Sequence, residues 1–196
     1  MRKLALLLLV ILLVACAPAR QLPGLLPTAA ETRQTYNTRY PWDIQGPPSA
    51  RLASALASID STDQVTTFLK THVRWQAGYD DQHLLSPDEF LTQGFGVCSA
   101  FARFWCLALA HQGFKPELVA FWWGNIGHAV ALWPDVAGQY RFASNFDVDP
   151  RVLGTDHTHA VLGCAQAFCQ DTWTLIWVYD AEGAGVRQTF PHPASL

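Results

Sequence analysis

The stretch Gly94-Phe95-Gly96-Val97-Cys98-Ser99-Ala100-Phe101 opens an apolar helix that runs to about His111, with Gly113 past its end. Phe101, Trp105 and Ala108 share one side of that helix, and Phe104, Leu107 and Leu109 flank them. A helix apolar nearly all round is expected to be central and buried. Cys98 stands at its first position, where the helix dipole and the backbone N–H groups favour a thiolate. Thirty residues later, Gly127-His128-Ala129-Val130 heads an apparent strand. A cysteine at a helix N-terminus with a histidine on a neighbouring strand points to nucleophilic acyl transfer, Cys98 attacking and His128 acting as base. Each residue also has a plain reading: a small buried hydrophobe opening a helix, and a strand-end histidine with ordinary hydrogen bonds.

Working outward, the periodicity predicts a helix over about 49–59, with Leu52, Leu56 and Ile59 on one face. A second follows Ser61, where Ser61 and Gln64 fit a capping box and Val65, Phe68, Leu69 and Val73 form the stripe. Asp80 to Leu85 reads as a loop. Ser86-Pro87-Asp88-Glu89 is a helix start, with Ser as N-cap, Pro at the first position and Glu three after the cap. Leu85 and Phe90 suit a hydrophobic staple, and Gly94 stops the short helix. Strands are predicted at Leu118–Trp123, His128–Trp133, Tyr140–Ser144 and Trp173–Tyr179, with Pro134-Asp135 and Gly138 turning the middle pair. Helices, then a central helix, then antiparallel strands make an α+β fold.

The chain has 196 residues, half of them hydrophobic, which suits one compact domain plus a tail. The eight Trp imply a large aromatic core or an exposed binding face. The net charge of −3 is unclustered and there is no basic patch, so nucleic acid is not an expected partner. Residues 1–15 read as a signal peptide: Arg2 and Lys3 lead into the apolar run Leu4 to Ala15, which is short for a bilayer span. The run ends Leu13-Val14-Ala15-Cys16 and resembles the bacterial lipobox, whose cysteine is lipidated and becomes the mature N-terminus. An ordinary signal cleaved near Ala15 or Ala17 is the alternative. Loss of Arg2 and Lys3 takes the side-chain net charge from −3 to −5. Residues 16–47, with Pro18, Pro23, Pro27, Pro41 and Pro47, read as a lipid-anchored tether. Ala17 lacks the acidic character of the Asp that often retains lipoproteins at the inner membrane, so the expected home is the outer membrane if the cell has one.

Export implies an oxidising compartment. Cys164 and Cys169 can form a local disulfide if their segment is irregular, but not in a regular helix, which places i and i+5 too far apart. Cys106 reads as a buried hydrophobe. No CxxC or zinc spacing occurs. Asp156-His157-Thr158-His159 carries an H-x-H pair without a third ligand and reads as a polar loop, so neither metal nor cofactor is expected. His111 reads as favourable charge at a helix C-terminus.

The base needs an orienting partner. If Trp133 pairs with Tyr140, His128 falls opposite Asn145, and a one-residue shift brings Ser144 there instead. Asn145 is the first choice and Asp147, two residues on, the runner-up. The oxyanion donors expected are the Cys98 backbone N–H and Gln93, five residues upstream, which also reads as a solvated polar residue. Trp75 and Tyr79 are further candidates. Trp122 and Trp123 are adjacent on a strand and so point to opposite faces.

On these residues the stretch from about 62 to 150 resembles the transglutaminase-like superfamily, relatives of papain-type cysteine proteases. The family has a G-x-C motif on a helix, here Gly96-Val97-Cys98. It has a small-residue-flanked His-Ala at a strand start, here His128-Ala129, and a third polar residue on the next strand, usually Asp. This chain reads Tyr140-Arg141-Phe142-Ala143-Ser144-Asn145, so Ser144 falls where Asp is common. The resemblance implies a papain-like core over residues 48–196, its nucleophile helix packed on an antiparallel sheet, acting on peptide or glutamine amides of the cell envelope. A catalytically silent envelope binding module is the other expectation.

Overall fold

The computed structural model describes residues 48–76, 85–170, 172–180 and 186–191. The expected signal peptide, the lipidated Cys16, the tether, Tyr79 and most of the loop after Asp80 lie outside the described residues. Helices α1 (Ala50–Ala57) and α2 (Thr62–His72) come first. Strand β1 (Arg74–Trp75), helix α3 (Pro87–Gln93) and strand β2 (Phe95–Gly96) lead into α4 (Cys98–His111). Then come β3 (Glu117–Trp123), β4 (Ile126–Pro134), β5 (Tyr140–Ser144) and β6 (Asp147–Val148). Helix α5 (His157–Cys169) and strands β7 (Leu175–Asp180) and β8 (Val186–Pro191) complete the chain's elements.

Six antiparallel strands form one sheet in the order β6-β5-β4-β3-β7-β8. The mixed helix-and-sheet architecture is α+β, as the element order implies. Period-two alternation divides the sheet residues between two layers. Leu118, Ala120, Ala129, Ala131, Trp133, Ala143, Trp177 and Tyr179 share a core with α4 and the N-terminal helices. Val119, Phe121, Val130, Leu132, Phe142, Ile176 and Val178 share the other core with α5. Trp122 and Trp123 divide between the two, as adjacent strand residues must.

Local chemistry explains most element ends. Ser86 and Glu89 close a full capping box, Pro87 stands in the first turn, and Gly94 ends α3 at φ 76°. Ser61 caps α2 by accepting from the Gln64 N–H, but the Gln64 side chain accepts from the Asp60 N–H, one residue before the position a capping box requires. Arg103 interrupts the apolar surface of α4. Its Nη1 donates to the Leu85 carbonyl at 2.6 Å, and burial lowers its pKa to about 10 against the opposing pull of Glu89.

Two expectations change. Asp156-His157-Thr158-His159 is the start of α5, neither loop nor strand: Asp156 is the N-cap and its carboxylate accepts from the His159 N–H at 2.7 Å. His157 Nε2 reaches Glu117 on β3 at 2.6 Å and ties that first turn to the sheet. Cys164 and Cys169 both lie on this regular helix with no disulfide between them, so the irregular segment that a local disulfide needs is not there. Among the described residues, no helix is long and apolar enough to cross a membrane.

Candidate functional site

Cys98 is the first residue of α4, and the N-cap Val97 contributes no side-chain hydrogen bond. The approach to it is held by the short parallel pair β1–β2, with Trp75 opposite Gly96 and the Gln76 N–H donating to the Gly96 carbonyl. Trp75 is 51% exposed and stands beside the strand that delivers Cys98. Gly96 does not adopt a left-handed conformation. Its role is close approach: a Cβ there would stand 2.9 Å from Ala100 Cβ and from the Phe90 ring. Glycine lets α3 and the first turn of α4 meet beside Cys98.

The four described cysteines differ sharply in access. Cys106, Cys164 and Cys169 are buried, and Cys98 is half-buried. Burial pushes the Cys106 and Cys164 thiols far up, which keeps them protonated and inert. Gln93 ends α3, and its Nε2 is buried with no hydrogen-bond partner among the described residues. That is the opposite of a solvated polar side chain, and a buried donor of this kind is costly unless something accepts from it.

His128 is the third residue of β4, directly opposite Phe121 on β3. Its ring lies 5.6 Å from the Phe121 ring and 4.4 Å from that of Phe168 on α5. It therefore belongs to the layer beneath α5, while the neighbouring Ala129 and Ala131 pack beneath α4. Burial lowers the His128 pKa to about 4, so the imidazole is neutral at physiological pH and available as a proton acceptor. The preceding Gly127 makes room for Trp122, whose indole Nε1 would be 2.8 Å from a Cβ at that position.

The β4–β5 hairpin closes one residue away from the predicted register. Pro134 pairs with Tyr140 and Trp133 with Arg141. The Asp135 carboxylate sets this turn by accepting from the N–H groups of Ala137 and Gln139 at 2.9 and 3.0 Å, with Gly138 at φ 74°. The ladder ends at Ala131–Ala143, and beyond it His128 Nε2 lies 2.9 Å from Ser144 Oγ in a hydrogen bond. Ser144 thus occupies the place expected of Asn145.

Asn145 has a different task. With Phe146 it forms the two-residue connection between β5 and β6, at φ 49°, a conformation Asn tolerates better than most residues. Its carbonyl accepts from the Trp105 indole at 2.8 Å, and its Oδ1 is buried with no hydrogen-bond partner among the described residues. Asp147 instead pairs with Lys70 at 2.5 Å on an exposed edge. The geometry thus joins His128 to Ser144, and gives neither Asn145 Oδ1 nor Asp147 a hydrogen bond to the imidazole.

Phe168 went unread in the sequence. It is 39% exposed and lies against the imidazole, on a helix that sequence periodicity did not flag. Among the described residues, no three His, Cys, Asp or Glu side chains cluster as metal ligands. A scan against protein-family models finds no match to this chain, and a search of curated proteins finds no significant one.

Proposed function

We propose that this chain is an envelope-anchored cysteine acyl-transfer enzyme with a transglutaminase-like, papain-related core, lipidated at Cys16 and acting on peptide or glutamine amides. The observation that carries the reading is the sorting of the thiols. Cys98 alone among the described cysteines is not buried, and it stands at the N-terminus of a central helix with no side-chain cap. In the proposed reaction the Cys98 S–H proton passes to His128 as Sγ attacks the amide carbonyl. The Cys98 backbone N–H and the buried Gln93 Nε2 are the proposed oxyanion donors. His128 then protonates the leaving amine, and water or an amine resolves the acyl-enzyme, giving hydrolysis or cross-linking.

One observation favours a second reading, a silent binding module of the envelope: the His128 ring packs between Phe121 and Phe168, in the layer opposite the body of α4. The test is the pH dependence of iodoacetamide labelling at Cys98 in soluble protein starting at Ala17 and in its His128→Ala variant. Labelling that persists well below about pH 7 and recedes in the variant supports the enzyme. Labelling that rises only near about 8.5, the ordinary thiol value, and is unchanged in the variant sinks it.

A further inference from the structure

We propose that Ser144 is the positioning residue of His128: its hydroxyl oxygen accepts from Nε2–H and so holds the ring in the tautomer whose Nδ1 is the free proton acceptor. The inference deepens the acyl-transfer reading and rests on it for its catalytic meaning. Three observations carry it. Nε2 and Ser144 Oγ are 2.9 Å apart. Asp147 is paired with Lys70, and Asn145, set in the β5–β6 connection, gives the imidazole no hydrogen bond. The ring is confined by Phe121 and Phe168, which offer no hydrogen bond of their own. A hydroxyl can accept as well as donate, and acceptance from Nε2–H is the arrangement that leaves Nδ1 open to a proton.

A serine does this differently from a carboxylate. A carboxylate fixes the tautomer and also stabilises the imidazolium that forms when the base takes a proton. A hydroxyl orients the ring without adding negative charge. Under the acyl-transfer reading, a proton taken up at Nδ1 then leaves an imidazolium with no third charge behind it. The hydroxyl brings no charge of its own, which suits a ring buried among aromatic side chains.

The experiment compares wild type with Ser144→Ala and Ser144→Thr, reading the ring nitrogens of His128 by ¹⁵N NMR at pH 7 and the alkylation rate of Cys98 in the same samples. The expected result is an Nε2–H tautomer in wild type and in Ser144→Thr, and a mixture in Ser144→Ala. Cys98 alkylation should fall about tenfold in Ser144→Ala and recover in Ser144→Thr, a part of the roughly 10²–10⁴-fold that a well-placed base supplies. An Nδ1–H tautomer in wild type, or a tautomer indifferent to Ser144→Ala, overturns the proposal. A tautomer that follows the hydroxyl, with alkylation unmoved by both Ser144→Ala and His128→Ala, upholds the positioning role and overturns the acyl-transfer reading.

Discussion

Beneath α4 the central strands present Ala120, Ala129, Ala131 and Ala143 to a helix bearing Phe101, Phe104 and Trp105. Beneath α5 the same strands present Val119, Phe121, Val130, Leu132 and Phe142 to a helix bearing Ala160, Val161, Cys164 and Ala165. The volume sits on the helix in one layer and on the sheet in the other. Small strand residues let α4 settle close, and its rings fill the gap; Leu118, Trp133, Trp177 and Tyr179 are the large residues of this face, and Trp133 stacks on Trp105 with centroids 6.3 Å apart. Small helix residues let α5 settle onto a bulky sheet face. Close packing at native density requires this reciprocity, and a strand that must serve both layers reads Ala-Val-Ala-Leu, as residues 129–132 do.

The sharpest way to break the comparison is to empty the bulky face. Phe121→Ala should cost about 3–5 kcal/mol, because the residues α5 buries against this face, Ala160, Val161, Cys164 and Ala165, are too small to fill the space. A denaturant midpoint shift equivalent to less than about 1 kcal/mol would show that α5 collapses onto the cavity, and the layer would not be a fixed one. The next largest effect comes from the polar intrusion into that face. His128 has a folded pKa of about 4 against about 6.5 unfolded. The unfolded chain therefore binds the proton first. The stabilisation is complete above pH 6.5 and is lost as the pH falls toward 4, a loss of about 3 kcal/mol. Unfolding free energies at pH 7 and pH 4, compared with those of His128→Asn, should show wild type losing more; equal losses would place the ring in water instead. The mildest test overfills the other layer. Ala131→Leu should cost about 1–3 kcal/mol by forcing α4 outward. A neutral or stabilising result in thermal unfolding would mean that α4 does not depend on small strand residues.

The two layers also differ in how far they could be read from the residues. The α4 layer was legible because its signals are local: Ser86, Pro87 and Glu89 start α3, Gly94 stops it, and α4 begins and ends where its apolar run does. The α5 layer was not. Asp156 is a proper N-cap, but the His-Thr-His that follows lacks the Glu or Gln of a capping box. The apolar stripe Ala160, Val161, Cys164, Ala165 has helical spacing but is built of small residues, which give a weak periodic signal. Strand β8 was missed as well, because Val186–Pro191 alternates too little to stand out. The places of Cys98 at the head of α4 and of His128 near the start of β4 were legible from spacing and flanking glycines. Ser144 was beyond pairing arithmetic: the register that the Asp135 turn sets would carry Phe146 opposite His128, but the ladder ends at Ala131–Ala143 and the His128–Ser144 contact forms beyond it.

The strand order has a consequence for how the molecule opens. Strands β3, β4 and β5 are successive in the chain and pair as neighbours, so their contacts close short loops. Strand β7 must return past β6 and α5 to lie against β3, with Asp180 opposite Glu117. The longer return carries the larger loop-closure entropy, and it forms later and opens earlier than a local meander. Sub-global opening should therefore release α5, β7 and β8 as one cooperative unit while the α4 meander keeps its hydrogen bonds. Native-state hydrogen exchange reads this directly, and β7 amides outlasting those of β4 would reverse the order. Such an opening uncovers His128 and Phe168 without unravelling the helix that Cys98 begins.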